Sequence, residues 1–162
     1  MILDTQSVKN AATATGSTVG FDAGKLVKGR KRLVLTDTLG NVLASRVVPA
    51  DAVDGSAAIA FWDEVAVLHD LLGQVQVIFV DSSFNGIFRE HMARHYGIRV
   101  EKPTHVLVKK TNFCIHAWRW IVERTFAWLS AKRRLSKEYD RSLRHANAWI
   151  TVANIQRTLK FC

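Results

Sequence analysis

Cysteine is scarce: the 162 residues hold two, Cys114 and Cys162. Neither a disulfide framework nor a metal-thiolate spacing can be built from them, so a reducing cytoplasm fits the chain best. Long apolar runs are missing as well. No window of 18 apolar residues occurs, and the N-terminal MILDTQSVKN lacks the basic-then-apolar order of a secretory leader. Both observations disfavour membrane spanning and export. There is no internal repeat and no low-complexity tract. Acidic residues are almost absent from the second part of the chain. Residues 102–162 carry 13 Lys and Arg against 3 Asp and Glu, whereas residues 1–101 carry 10 against 11. A net charge of +9 concentrated in this way points to a polyanionic partner, nucleic acid first.

At 48% hydrophobic and 23% charged residues, the composition is that of one folded domain with a real core. The most informative stretch is WRWIVERTFAWLSAKRR, residues 118–134. Ile115, Trp118, Val122, Phe126 and Leu129 recur at spacings of three and four, the apolar stripe of an amphipathic helix. Arg119 and Glu123 sit one turn apart on a neighbouring face. Glu123 is the only acid between Glu101 and Glu138. Two readings of it stand side by side: an ordinary helix-surface ion pair, or one ligand of a site completed by other carboxylates.

Earlier in the chain, residues 1–4 read as the end of a short strand and 5–19 as a polar loop. Lys25, Lys28, Arg30, Lys31 and Arg32 form a basic run into a strand at 33–37. The turn at 38–41 makes a hairpin with residues 42–48. Asp54 or Ser56 can cap a helix to about Leu72 that buries Ala58, Phe61, Trp62, Val65, Leu68 and Leu72 and is closed by Gly73. VQVIFV, residues 75–80, is nearly unbroken apolar sequence, the pattern of a central strand covered on both faces. Asp81 follows at once. Ser82 or Ser83 can start a helix to Tyr96, stopped by Gly97 before a strand at 98–101. Residues 103–113 read as a connection. A last helix from Ser142 to Lys160 turns Leu143, Ala146, Ile150, Ala153 and Ile155 inward. This order predicts an α/β fold with a mixed sheet and helices on its faces.

Asp4 and Asp81 each close a strand. If those strands are adjacent and parallel, their carboxylates emerge together where α/β sheets gather ligands, and a helix on that edge can add Glu123. Three carboxylates without His or Cys suit hard cations, magnesium or manganese before zinc. Two such ions about 3.5–4 Å apart would clamp the attacking and leaving oxygens of a phosphodiester. Taken singly, an Asp at a strand end is usually a turn or cap residue. Lys132, Arg133 and Arg134 suit both the helix C-terminal dipole and sequence-blind phosphate contact. Trp120 and Trp128 flank the apolar stripe and are the tryptophans best placed to touch DNA.

Four blocks, DTQSVK at 4–9, GFDAGKLVKGRKR at 20–32 with TDTLGNVLA, VDSSFNG at 80–86 and WRWIVERTFAWL…RRLSKEYD at 118–140, resemble insertion-sequence transposases of the DDE type, the family usually numbered five. The resemblance spans nearly the whole chain in order. It implies a ribonuclease H-like fold with a mixed five-stranded sheet, and a metal-binding triad at Asp4, Asp81 and Glu123. It further implies cleavage and strand transfer by water and then a freed 3′-hydroxyl, at inverted-repeat ends and in target double-stranded DNA. Partners of that activity are the DNA and further copies of the protein. In the family motif of Tyr, Arg, Glu and Lys, Arg119 and Glu123 match, whereas His116 replaces the tyrosine and Ser130 the lysine. Lys132 or Arg133 can substitute for that lysine, and Lys28, Arg30, Lys31, Arg124 and Arg134 join the expected DNA contacts. The family's N-terminal helix-turn-helix-like region has no counterpart here. A second reading frame served by an upstream-frame DNA-binding product is one explanation. A truncated, weakly active or inactive remnant that binds DNA non-specifically is the other.

Overall fold

The computed structural model describes residues 1–67, 70–84, 86–102, 106–107, 114–115 and 117–160. Its centre is β1 (Ile2–Lys9), whose successive side chains point to opposite faces. Leu3 joins one core with Leu33, Leu35, Phe61, Trp62, Ile78, Phe88 and Met92. Ile2 joins a second core with Val34, Val122, Phe126, Leu129, Ala146 and Ile150. The two cores are the two faces of one sheet.

β3 (Val27–Thr36) runs antiparallel to β1 with Ile2 opposite Thr36 and Lys9 opposite Gly29. β4 (Val42–Pro49) continues the meander antiparallel to β3, with a register shift at Leu35/Thr36. On the other side of β1 lie β5 (Val77–Phe79) and then β6 (Arg99–Glu101), both parallel. The order β4–β3–β1–β5–β6 is a mixed five-stranded sheet of the ribonuclease H-like kind. A short extra strand, β2 (Gly20–Asp22), pairs with the first residues of β3 on the edge that β4 uses further along. At that junction a Cβ on Gly29 would lie 1.9 Å from the Val8 carbonyl oxygen, so only glycine lets the chains close.

Helices α1 (Asp54–Ala66) and α2 (Ile87–Tyr96) cover the Leu3 face. Helices α3 (Ala117–Ser130) and α4 (Leu143–Thr158) cover the Ile2 face. The stripe predicted for α3 is buried at Val122, Phe126 and Leu129, and full burial of such a side chain contributes about 1.5–3 kcal/mol. Ser142 caps α4 by accepting the His145 amide, and Gly97 ends α2 with a left-handed φ of 65°.

Several boundaries differ from the sequence expectation. β1 continues to Lys9 through residues expected to form a loop, because Thr5 and Val8 are buried and the whole strand pairs with β3. α1 has Val53, not Asp54 or Ser56, as its N-cap and ends at Ala66. Leu72 reaches the same core from a separate 3-10 turn, Asp70–Gln74, while Leu68 lies outside the described residues. Ser82–Phe84 is also a 3-10 turn, and α2 starts only at Ile87. Within the expected connection at 103–113, Val106–Leu107 forms β7, paired with β8 (Cys114–Ile115). Ile155 points outward at 54% exposure.

The basic run of β3 is the largest correction. Arg30 and Arg32 are completely buried and Lys31 nearly so. Arg32 meets Glu138 through Nε at 2.7 Å and gives Nη1 to the Leu135 carbonyl at 2.9 Å. Arg30 donates to Thr18 and to the Arg141 carbonyl, 3.6 Å from the same Glu138 carboxylate. The Glu138 backbone bonds Lys9 and Ala11. The segment between α3 and α4 is thereby strapped across β1 and β3, and a charge run that reads as a solvated face is internal.

Candidate active site

Side-chain parity decides what reaches the site. Ile2 and Phe79 are register partners in the parallel pair β1–β5, and both contribute to the α3–α4 face. Two residues further along each chain, Asp4 and Asp81 leave the sheet on that same side. Trp118 stacks on Phe79 with ring centroids 5.0 Å apart and planes 7° from parallel, which sets the first turn of α3 against the end of β5. Near the middle of the helix, Thr125 and Arg124 donate to the carbonyls of Gly40 and Leu39 in the β3–β4 turn, both at 2.9 Å. Held at these two points, α3 presents Arg119 to the carboxylates. Asp4, Asp81 and Arg119 line one cleft of about 10 Å³ together with Ile2, Phe79 and Val122, room for roughly one water-sized body.

Asp4 accepts the Thr5 amide at 2.7 Å. Burial pushes its pKa up to about 6. The Thr5 amide opposes that, the Asp81 carboxylate reinforces it, and Lys25 and Arg119 draw it back. Asp81 accepts from the backbone amide of Ser83 at 2.6 Å and from its hydroxyl. Glu123 stands one helical turn beyond Arg119, half exposed, with Oε1 3.4 Å from Arg119 Nε. It does not line the cleft. Among the described residues no group of three or more His, Cys, Asp or Glu side chains is gathered closely enough to hold a metal ion. The geometry therefore assembles Asp4 and Asp81 with Arg119, and leaves Glu123 paired to that arginine at the rim. A buried carboxylate raised by its like-charged neighbour fits an oxygen-liganded cation. The carboxylate donors of the cleft, Asp4 and Asp81, are all oxygen.

Of the expected DNA contacts, Lys28, Arg133 and Arg134 are exposed. Arg134 approaches Asp140 at 4.0 Å and the Trp149 ring at 5.0 Å. Lys132 bonds Gln156 at 2.8 Å, and Arg124 lies between Trp120 and Trp128. His116 lies outside the described residues. Arg30 and Lys31 are not available to phosphate. Arg30 is locked under the 133–141 strap, and Lys31 bonds Asp54 at 2.6 Å and the Ala52 carbonyl at 2.7 Å. Lys25, whose ammonium reaches the Thr5 carbonyl at 3.5 Å, is the site neighbour that sequence reasoning missed. Its spacing from Asp4 carries no signal. Ser83 was legible in principle, since Asp-x-Ser is a self-bonding turn pattern.

A mixed sheet of this order, with Asp4 near the start of β1 and Asp81 just beyond β5 meeting in one cleft, suits the nucleotidyl-transfer class of enzyme. The chain belongs to the transposase DDE domain family, whose model matches residues 1–156. It is also similar to a putative transposase for insertion sequence element IS402 from Burkholderia cepacia, at 27% identity over 119 residues. That match covers 70% of this chain, and the chain spans 54% of the relative's length.

Proposed function

We propose that the chain is the catalytic domain of an insertion-sequence transposase of the group usually numbered five, cutting DNA at inverted-repeat ends and joining the freed 3′-hydroxyl to target duplex. The observation that carries this reading is the meeting of Asp4 and Asp81 in one cleft beside Arg119. Asp4, Asp81 and Glu123 are the residues that would hold magnesium or manganese, in all two ions. Bound there, the metal would supply activation of the attacking oxygen and stabilisation of the leaving one. Asp4 and Asp81, anions like the phosphate, would act on it only through the cation they would hold against the sheet. Arg119 offers a cation to a non-bridging phosphate oxygen, and taking up that phosphate releases Glu123. Lys28, Arg124, Lys132, Arg133, Arg134 and His116 serve as phosphate contacts. The active species is a homo-oligomer on DNA in the bacterial nucleoid.

Purified protein with manganese or magnesium should nick or join end-bearing DNA, and Asp81→Asn should abolish this while leaving the melting temperature close to that of the parent. Metal-dependent activity that survives Asp81→Asn would reject the assignment. A second reading, a weakly active remnant that binds DNA non-specifically, is favoured by the Arg119–Glu123 pair, which keeps the third carboxylate out of the cleft. It predicts DNA binding indifferent to all three acids, with little or no cleavage.

A further inference from the structure

A separate face of α3 carries alternating aromatic and cationic side chains. The Arg124 guanidinium carbon lies 4.5 Å from the Trp120 ring and 4.7 Å from the Trp128 ring, and Arg157 of α4 reaches to 4.3 Å from Trp128. Trp120 is 56% and Trp128 37% exposed. At the Arg157 end this ladder opens into a cavity of about 310 Å³ between α3, α4 and β4, within the range of small-ligand clefts, about 300–1,000 Å³. Leu129 and Ala153 form apolar lining, while Trp128, Lys132, Arg157 and Lys160 complete the walls. No acid lines it among the described residues.

The two arginines are under-compensated. Arg124 donates to the Leu39 carbonyl at 2.9 Å and Arg157 to Asn41 Oδ1 at 2.6 Å, both neutral acceptors. Arg124 Nε is buried with no hydrogen-bond partner among the described residues. Burial holds the Arg157 pKa below its ordinary value; Asp37 partly offsets this, and repulsion from Arg124 adds to it. An apolar slot walled by an indole and edged by three cations suits a flat ring joined to an anion. A duplex keeps its bases stacked inside, so the ring has to come from an unpaired position.

We propose that this cavity binds one unpaired nucleotide of a DNA strand, with the base beside Trp128 and the Arg157 guanidinium and the phosphates at Lys132 and Lys160. The site is distinct from the Asp4–Asp81 cleft and does not depend on cleavage. Fluorescence anisotropy of a labelled short oligothymidylate, titrated with the full chain, tests it. Stacking predicts that affinity falls about tenfold or more in Trp128→Leu. Trp128→Phe, which keeps a flat ring, should retain most of the affinity. An all-abasic strand of equal length should bind the parent protein as weakly as oligothymidylate binds Trp128→Leu. Asp81→Asn should bind unchanged, so loss of the cleavage reading leaves this one standing. Equal affinity for the abasic strand would reduce the site to phosphate contact and overturn the proposal. Unaltered affinity in Trp128→Leu would do the same. So would a Trp128→Leu effect confined to sedimentation mass, which would make the ladder a contact between copies.

Discussion

Asp4 is an acid placed where its own charge is unwelcome. Its pKa of about 6 in the folded protein lies above the ordinary 3.8, so the native state binds its proton more tightly than the unfolded chain does. The native state is therefore penalised in full above pH 6, and the penalty fades as pH falls from 6 toward 3.8. Melting temperature should accordingly rise between neutral pH and about pH 5, against the usual acid trend of carboxylates with depressed pKa values. Asp4→Asn should flatten that rise and stabilise the neutral protein by on the order of 2 kcal/mol. A variant no more stable than its parent in a neutral-pH melt would show that the carboxylate is not strained. Arg119 makes the opposite case. Its pair with Glu123 is half exposed on both sides, so Arg119→Ala should change stability by no more than about 0.5 kcal/mol while removing DNA nicking. A large loss of stability in the same unfolding curves would make Arg119 a structural residue. At this scale the sequence was partly legible. The i, i+4 Arg–Glu pair could be read directly, because helical spacing is local, whereas Asp4, expected to close its strand, is the third residue of a β1 that runs on to Lys9. Spacing allowed both the pair with Arg119 and a place among the carboxylates, and which of the two Glu123 takes is a side-chain choice that the sequence does not decide.

Among the elements, β3 shows most clearly where sequence reading fails. Its apolar half, Leu33 to Leu35, was recognisable, whereas Lys28, Arg30 and Lys31 were expected to contact DNA and only Lys28 is exposed to do so. Arg30 and Arg32 turn inward because Glu138, from a strap that follows α3, lies against them at 0% and 3% side-chain exposure. The partner is 106 residues away from Arg32, so no window along the chain contains both members. Removing one partner of a buried ion pair leaves the other charge uncompensated, and here two arginines depend on one carboxylate. Glu138→Ala should therefore cost about 3–5 kcal/mol in urea unfolding. A cost below about 1 kcal/mol, the size expected of an exposed pair, would contradict the burial. The RRLSKEYD block thus acts at least in part as architecture: Leu135 is core, Glu138 is the clamp, and Arg133 and Arg134 remain outside.

For the whole molecule, the sheet separates duties between its faces. One core, under α1 and α2, is packed from Phe, Trp, Leu and Met side chains and bears no candidate site residue. The other, under α3 and α4, supports both the carboxylate cleft and the cation-lined cavity. The excess positive charge of residues 102–162 is carried mainly by the elements of this second face. Affinity for duplex DNA of any sequence should fall steeply with salt, with a log–log slope of about −0.9 for each phosphate neutralised. Binding that barely changes between low and physiological salt would mean the charge serves another purpose.

The Glu138 strap also constrains how the protein comes into being. On the ribosome, β3 emerges with three cations that have to enter the interior, and the acid that makes this possible for Arg30 and Arg32 is encoded 106 residues after Arg32. At roughly 5–20 residues per second that interval lasts about 5–20 s. For that time a nascent chain holds the strands of the sheet but cannot seal one of its faces, so that face closes only after residue 138 has emerged.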